Sequence, residues 1–230
     1  MEENYFLNYY NYPKKYFENY GFKAEIFDLN ENLPEEYEAN KAYILIIKDG
    51  INCLLNKIDK NTNMFFEEQY SLDYDKKVYM YGRVCNKRAR YNLCFSNEEQ
   101  EPDYENKKGR IVSFKNVPLL SYIRNSLKDF LGNKGENLQA ESNFYYDIKN
   151  CGIGFHGDSE RKKVVGLRLG ETIPLHYQWF KYSKPIGERI KFNIDHGDIY
   201  IMSEKATGND WKKKKICTLR HAAGCKKFLK

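Results

Sequence analysis

The sequence lacks the features by which secreted and membrane proteins are recognised. Its six cysteines form no CxxC pair, and cysteines scattered in this way are typical of free thiols in a reducing compartment. The N-terminus has no apolar segment of the signal-peptide kind, and no apolar run approaches the roughly 20 residues that span a bilayer. These absences predict a soluble, intracellular protein with no signal peptide, no transmembrane segment and no membrane partner.

Charge of one sign is only moderately in excess. The formal net charge is +6, which favours anionic partners because Lys and Arg that neutralise phosphates release counterions. Much of the excess lies in two clusters, at residues 212–215 and 226–230, and such runs are also common on surfaces that contact only solvent. The 20 tyrosines and 14 phenylalanines suit both a core and stacking surfaces.

Apolar periodicity predicts one clear helix among many strands. Residues 42–48 (AYILIIK) are a β-branched apolar run before Asp-Gly, which is typical of a buried strand and a turn. Residues 117–131 repeat apolar positions at helical spacing, with Pro118 suited to the first turn and Gly132 to the end. Further strands are predicted near residues 143–146, 152–156, 164–169, 176–180, 189–193, 198–202 and 216–222. This pattern favours a sandwich or barrel in one catalytic unit.

Histidine is scarce, so a histidine-based metal site has few candidate ligands. The four histidines are His156, His176, His196 and His221, and His-Gly-Asp occurs twice, at 156–158 and 196–198. Two imidazoles and one carboxylate on one face of a metal, with open positions opposite, form the facial triad of non-haem Fe(II) oxygenases. A lone H-x-D occurs often by chance, so the spacing must decide between the two copies.

The spacing favours the first copy. In a double-stranded β-helix the second histidine follows H-x-D after several strands. From His156 to His221 there are 65 positions, which is room for those strands, whereas from His196 there are 25, which is room for about one hairpin. We therefore predict a metal site of His156, Asp158 and His221. For His176 and His196 a hydrogen-bonded structural role is expected.

Several segments together resemble one enzyme family. NFYYDIKNCGIGFHGDSER, followed by VVGLRLG and PLHYQWF, resembles the centre of the AlkB-like dioxygenases, in which an N-x-Y strand leads to H-x-D and then to an acidic residue. IDHGDIYIM and TLRHAAG resemble the family's late HGD turn and its strand with the distal histidine. YGRVCNKRARYNLCF resembles the nucleotide-recognition hairpin, and VPLLSYIRNSL the helix before the core. The likeness covers roughly residues 77–225 and is greatest to forms encoded by large DNA viruses.

The resemblance implies a fold and a reaction. The fold would be α+β, mainly β, with a double-stranded β-helix (jelly-roll) core and flanking helices. Residues 76–230 would form the dioxygenase domain, and residues 1–75 an N-terminal extension packed on it. Fe(II) and 2-oxoglutarate would be the cofactors, with O2 as co-substrate, for oxidative demethylation of N-alkylated nucleobases in DNA or RNA. The implied protein is a monomer that acts on nucleic acid in the cytoplasm or nucleus of a host cell.

The resemblance also assigns site residues. It makes His156, Asp158 and His221 the catalytic iron ligands, and Asn143 and Tyr145 contacts of 2-oxoglutarate.

One departure from the family concerns the distal carboxylate of 2-oxoglutarate. The family places two arginines beyond the distal histidine, whereas the nine residues after His221 contain none. A buried carboxylate needs a cation, and Arg168 is the first candidate because its neighbours on VVGLRLG are apolar. The alternatives are Arg220, Lys226 and Lys227, and for each of these cations a position on a sheet face that reaches solvent is the ordinary explanation.

A target base would need flat side chains around it and cations for its phosphates. Glu160 matches the family's acidic residue near the base, and a surface carboxylate paired with Arg161 or Lys162 is an equal alternative. The candidates for stacking are Tyr79, Tyr81, Tyr91 and Trp179, and those for phosphate contacts are Arg88 and Arg90. Since most aromatic residues in a domain are core, we expect at least half of the four to be structural.

Two other functions remain open from the sequence. The same chemistry could hydroxylate a protein or a small molecule, which would explain the missing arginine pair and the modest charge. A non-enzymatic nucleic-acid binder that has lost cofactor turnover is the third possibility.

Overall fold

The structure is a computed structural model that describes residues 2–230, with side chains described from residue 10 onward. Over residues 2–230 the fold is α+β and mainly β, with 13 strands in four sheets and five short to medium α-helices. The chain divides into two compact units. The first contains residues up to Cys53 together with Ile153–Lys230, and the second contains Leu54–Gly152.

The first unit contains two four-stranded sheets. One has the order β1-β2-β12-β9 and the other β11-β10-β13-β8. The neighbours β1/β2, β2/β12, β12/β9, β10/β11 and β10/β13 are antiparallel. The bounds are β1 Ala24–Asp28, β2 Tyr43–Ile47, β8 Gly152–His156, β9 Val164–Leu167, β10 Ile173–Lys181, β11 Lys184–Ile194, β12 Ile199–Met202 and β13 Thr218–Gly224. Helix α1 (Glu2–Asn19) precedes them, and α2 (Gly50–Leu55) follows β2.

The core of the first unit lies between these two sheets. All five residues of β2 are buried, which confirms the strand predicted at residues 42–48 and places it inside a sheet. Phe27 on β1 and Phe192 on β11 join the two sheets through rings 5.0 Å apart. Trp179 on β10 is fully buried, and its indole N–H donates to the Leu29 carbonyl. A buried indole with its donor satisfied is a packing residue.

The second His-Gly-Asp copy forms the predicted turn before β12. The Asp198 carboxylate is buried and accepts hydrogen bonds from the backbone N–H groups of Asp195 and Asp49 and from the Lys48 ammonium. The His196 Nδ1 accepts from the Gly170 N–H at 2.9 Å. These bonds tie the turn to neighbouring backbone, so this copy has a structural role.

Asp195, which shares Lys48 with Asp198, is expected to make stability depend on pH on the acid side. Hydrogen bonds from Lys48 and Thr172 hold the pKa of Asp195 below its ordinary value. A lowered folded-state pKa contributes stability that is present above the unfolded pKa of about 3.9 and is lost as the pH falls through the folded value. Because the Asp195 and Lys48 side chains are 47% and 41% exposed, the contribution is at most about 1 kcal/mol.

Urea unfolding of Asp195→Asn measures this contribution. The variant should be less stable than the native protein by up to about 1 kcal/mol at pH 7 and by less at pH 2.5. Glu25→Gln, in the exposed pair with Lys23 at 3.8 Å, should be neutral at both values. A deficit of Asp195→Asn that is equal at the two pH values would contradict the prediction.

The second unit contains a hairpin, a three-stranded sheet and three helices. The hairpin consists of β3 (Lys77–Met80) and β4 (Arg83–Asn86). The sheet has the order β6-β5-β7, with β5 (Tyr91–Ser96) parallel to β6 (Ile111–Ser113) and antiparallel to β7 (Ala140–Phe144). The helices are α3 (Thr62–Tyr70), α4 (Pro118–Ser126) and α5 (Lys128–Leu131).

The helix predicted over residues 117–131 is two helices, α4 and α5. Pro118 begins α4, and Gly132 follows α5 with a positive φ of 56°, as expected of a helix end. The apolar stripe is confirmed, since Leu120, Ile123 and Leu127 are buried. The break comes where the Leu127 N–H bonds to the Arg124 carbonyl, three residues back, which tightens the last turn of α4.

The structure also bears on the predictions about the cysteines, membrane-spanning helices and the first 75 residues. All six cysteines are free thiols. In the part of the chain that the structure describes, no helix combines the length and apolar character needed to cross a bilayer. The predicted extension of residues 1–75 supplies α1, β1 and β2 to the first unit, and its residues from Leu54 onward belong to the second unit.

Candidate metal centre

Two neighbouring strands of the first unit bring three side chains together. His156 is the last residue of β8, and Asp158 lies in the turn that follows it. His221 lies in the middle of β13, the strand beside β8. Residues 65 positions apart in the chain therefore become neighbours because their strands are hydrogen-bonded in one sheet.

The ligand atoms of these three residues converge. The His156 Nε2 lies 3.6 Å from Asp158 Oδ1, and the His221 Nε2 lies 3.9 Å from Asp158 Oδ2. The two imidazole rings have centroids 4.4 Å apart. Two atoms bound to one ion by bonds of about 2.1 Å can be separated by at most about 4.2 Å. Both distances are within that limit, and among the described residues this is the group of His, Cys, Asp and Glu side chains that could hold a metal.

The protonation states suit metal ligands. The His156 Nδ1 lies 2.8 Å from the Gly154 carbonyl. A proton on Nδ1 that donates to this oxygen leaves Nε2 with its lone pair directed towards the cluster. Burial, together with the nearby His156 and Arg161, lowers the pKa of His221 to about 3. His221 is therefore a neutral imidazole, which is the form that binds a metal.

The turn that carries Asp158 is fixed by a close backbone contact. The Asp158 N–H donates to the Thr207 carbonyl at 2.8 Å, and the Trp211 indole N–H donates to Ser159 Oγ at 2.9 Å. A Cβ on Gly157 would lie 2.0 Å from the Gly208 carbonyl oxygen, so only glycine fits between the two ligands. The Arg161 guanidinium lies 3.6 Å from Asp158 Oδ2.

Tyr177 also belongs to this site, with Tyr200 as an electrostatic neighbour, and the sequence analysis missed both. Tyr177 is opposite His221 in the pairing of β10 with β13, and the two rings are 5.9 Å apart. Its hydroxyl is fully buried without a hydrogen-bond partner among the described residues. Burial raises the pKa of Tyr177, and Tyr200 and Asp158 raise it further. The alternation of PLHYQWF could have placed Tyr177 on the buried face with Leu175 and Trp179.

The two arginines predicted as partners of the distal carboxylate of 2-oxoglutarate, Arg168 and Arg220, lie in different surroundings. The Arg168 Nε is buried without a hydrogen-bond partner among the described residues. A Cβ on Gly166 would meet the Tyr200 ring, and Arg168, two residues further along an extended backbone, points to the same face. The Arg220 Nε is likewise buried without a hydrogen-bond partner among the described residues, and its guanidinium stacks on the rings of Phe180 and Trp211, at 4.1 and 5.4 Å.

Four other predicted residues of the first unit lie outside the cluster. Glu160 is exposed in the turn after Asp158, and Lys226 and Lys227 are exposed just after β13. His176 is the neighbour of Tyr177 on β10 and therefore points to the opposite face. Burial lowers the pKa of His176, as do the nearby Arg189 and Lys191, so His176 is expected to stay neutral.

The predicted residues of the second unit lie on its sheet and hairpin. The Asn143 side chain accepts hydrogen bonds from Arg90 and Asn92, both at 2.7 Å, and Tyr145 is half-buried just after β7. Tyr91 stacks on Tyr146 with centroids 4.2 Å apart. The other candidates are exposed or partly exposed: Tyr79 under the Lys107 ammonium, Tyr81 at the hairpin tip and Arg88 before β5.

Comparisons with known proteins give one informative relative. No family model matches the chain. An uncharacterized protein of Acanthamoeba polyphaga mimivirus is 50% identical over 219 residues, which are 94% of this chain and 84% of that protein. Identity at this level over nearly the whole length implies common descent and the same fold. The chain belongs to the same family as this uncharacterized mimivirus protein.

Proposed function

We propose that the protein is an Fe(II)- and 2-oxoglutarate-dependent dioxygenase of the AlkB-like class, which removes N-alkyl groups from nucleobases in DNA or RNA. The observation that carries this proposal is the convergence of His156, Asp158 and His221, whose ligand atoms lie within 4.8 Å of one another. Two nitrogens and one carboxylate oxygen are the donor set of the facial triad, which leaves metal positions for a keto acid and O2.

The residues around the triad have defined tasks in this reaction. When bound, Fe(II) with 2-oxoglutarate and O2 supplies a C–H hydroxylation that converts an N-methyl group into one lost as formaldehyde. The Gly154 carbonyl orients the His156 ring, and burial keeps His221 neutral. Arg161 pairs with the Asp158 carboxylate from the same turn. The chain thus presents a preformed ligand set and needs little rearrangement to bind a metal.

The architecture of the first unit supports a double-stranded β-helix. This fold consists of two facing antiparallel sheets with its metal ligands on one of them. The first unit has two four-stranded sheets joined by core rings, and all three candidate ligands lie on β8, the turn after it and β13.

Arg168, Tyr177 and Tyr200 support 2-oxoglutarate as the keto acid. A buried guanidinium N–H and a buried hydroxyl without protein partners each carry a free-energy cost that a bound carboxylate would remove. Arg168 Nε and the Tyr177 hydroxyl are two such groups. We infer that Arg168 binds the distal carboxylate of 2-oxoglutarate and that a tyrosine hydroxyl adds a hydrogen bond, in place of the family's arginine pair.

Arg168→Ala is expected to raise the concentration of 2-oxoglutarate needed for half-saturation by more than about 100-fold, because truncating one partner of a buried charge pair costs roughly 3–5 kcal/mol. Anaerobic titration of the Fe(II)-loaded protein, followed by the metal-to-ligand charge-transfer absorption, measures this without turnover. Iron stoichiometry should be unchanged, and Arg168→Lys should recover part of the affinity.

Arg220→Ala is the matched variant for Arg168→Ala. Its guanidinium is stacked between rings, so 2-oxoglutarate affinity should change less than about threefold. If Arg168→Ala bound 2-oxoglutarate with unchanged affinity, Arg168 would not be part of the cofactor site. If only Arg220→Ala lost much of its 2-oxoglutarate affinity, Arg220 would be the residue that binds the distal carboxylate.

The native protein tests the function as a whole. Anaerobic addition of Fe(II) and then 2-oxoglutarate should produce the charge-transfer absorption, and aerobic incubation should form succinate. Methylated single-stranded DNA or RNA should stimulate succinate formation and release formaldehyde. Succinate without formaldehyde, together with hydroxylation of a peptide, would select the hydroxylase alternative, and absence of both absorption and succinate would exclude an oxygenase.

The setting of the activity follows from the same proposal. The viral relative and the free thiols are consistent with a reaction in the cytoplasm or nucleus of a host cell, where the proposed nucleic-acid substrate is found.

A further inference from the structure

The loop between β12 and β13 covers the turn that holds Asp158. This lysine loop, residues 203–217, makes two hydrogen bonds to that turn. The Thr207 carbonyl accepts from the Asp158 N–H, and the Trp211 indole N–H donates to Ser159 Oγ. Its Gly208 packs directly against Gly157. The loop is therefore held beside two of the candidate metal ligands by a backbone hydrogen bond, a side-chain hydrogen bond and a close glycine contact, and it cannot move away without disturbing that turn.

The segment after Trp211 concentrates positive charge on the surface. Lysines 212–215 are consecutive and exposed. Lys205, by contrast, is buried in the same loop and bonded to Asp210 and to the Cys217 carbonyl, so it adds no outward charge. Arg161 and Lys162, in the turn beside the loop, are also exposed. Glu204 and Asp210 line the same pocket as Lys213, and Asp210 is paired with Lys205. The four adjacent ammonium groups outnumber these acids and form a site that attracts a polyanion.

An exposed aromatic ring lies beside these lysines. Tyr182 is 64% exposed at the tip of the β10–β11 hairpin, and its N–H donates to the Lys214 carbonyl at 2.9 Å. Both residues of the tip, Tyr182 and Ser183, have positive φ, at 49° and 62°. Non-glycine residues rarely adopt this conformation, and the tight turn sets the direction in which the Tyr182 side chain leaves the backbone. A ring among cations suits nucleobases, which stack on aromatic faces while their phosphates bind cations.

We propose that lysines 212–215 and Tyr182 bind single-stranded nucleic acid beside the metal centre. The lysines contact consecutive phosphates, and Tyr182 stacks on a base of the same strand. This inference rests on the proposed function, which explains why a nucleic-acid strand would bind here. It names the surface that would hold that nucleic-acid strand while one of its bases is at the metal.

Fluorescence anisotropy with a labelled, unmethylated 12-nucleotide DNA tests this surface in metal-free native protein. The variant with Gln at all four lysine positions should lose at least about tenfold in affinity at low salt. Each phosphate contact contributes about 0.7 to the salt slope of single-strand binding. The slope of log K against log salt should therefore fall by about 2 to 3.

Two variants separate this surface from bulk charge and from acidic polypeptides. Lys15→Gln, Lys23→Gln, Lys191→Gln and Lys230→Gln together remove the same charge from exposed positions outside the hairpin tip and the lysine loop, and should change affinity less than twofold. Tyr182→Asn keeps a residue that tolerates positive φ and should weaken DNA binding at least fivefold while poly-glutamate binding stays the same.

The outcomes decide the proposal. The proposal would be overturned if the four-lysine variant kept the DNA affinity and the salt slope of the native protein. It would also be overturned if the four-lysine variant and the control variant with four other lysines replaced lost equal DNA affinity. Poly-glutamate that competes as well as DNA at equal charge would assign the surface to an acidic polypeptide instead. Thermal melting verifies folding, and should the four-lysine variant unfold, Lys212→Gln/Lys215→Gln should lose about half of the slope. Because the binding experiment uses neither iron nor 2-oxoglutarate, its result is independent of the test for dioxygenase turnover. The protein can bind DNA at this surface without turnover, and it can show turnover without binding DNA at this surface.

Discussion

Replacing Asp158 with alanine should abolish Fe(II) binding and the formation of succinate. The carboxylate is the one anionic ligand of the cluster, and both histidine Nε2 atoms lie within 4 Å of its oxygens. Losing even an outer partner of a metal ligand typically costs about 10–100-fold in affinity, so losing a direct ligand should cost more. Equilibrium dialysis with Fe(II) measures the metal, and succinate formation should fall to background.

The second His-Gly-Asp copy provides the matched control for Asp158→Ala. His196→Ala alters the same tripeptide in a turn whose bonds are structural, so the folded variant should bind iron like the native protein. His221→Ala should behave like Asp158→Ala although it lies 63 positions away from Asp158 in the chain. Iron binding that persists in Asp158→Ala and His221→Ala, or that disappears in His196→Ala, would refute the proposed centre.

Gly157→Ala should destabilise the protein by at least about 1–3 kcal/mol, the usual cost of overpacking. The added Cβ would lie 2.0 Å from the Gly208 carbonyl oxygen and 2.7 Å from the Trp211 Cβ. The first of these atoms is backbone and cannot rotate away, so the turn itself must move. Because Asp158 is the next residue, iron affinity should fall together with the free energy of unfolding, which urea denaturation measures.

Gly154→Ala tests whether the cost comes from this contact. Gly154 lies on β8 two residues before His156, and a Cβ there would meet only the Phe228 carbonyl oxygen at 3.8 Å, an ordinary contact distance. Its free energy of unfolding should change by less than about 1 kcal/mol. Similar losses in both variants would mean that any side chain on this segment is harmful, and the account of Gly157 would be wrong.

Local patterns predicted much of the fold because they are short-range. The apolar run of β2 and the apolar stripe at residues 117–131 depend on neighbours within a few positions, and both are found. The helix break at Leu127 was missed, because the apolar stripe continues across it and the tighter last turn of α4 leaves no mark in the pattern.

The candidate site was predicted only in part. The strand spacing selected His156, Asp158 and His221, and the structure brings them together. Trp179 was predicted near a substrate, but it is buried between the sheets, with its indole bonded to Leu29. Tyr177 was overlooked because one tyrosine among 20 carries no signal until the strand register places it opposite His221.

The sequence by itself determined the types of ligand, the distance between them in the chain and the alternation of the strands that carry them, since these depend on composition and period. The tertiary structure decided which strands are neighbours, and it placed β2, from the first fifty residues, in a sheet beside β12. It also placed the lysine loop against the turn that holds Asp158. These are contacts between residues as much as 160 positions apart, such as the Tyr43 N–H with Ser203 Oγ. They form because burying one sheet against another stabilises the folded chain, and no local pattern encodes which distant partner is chosen.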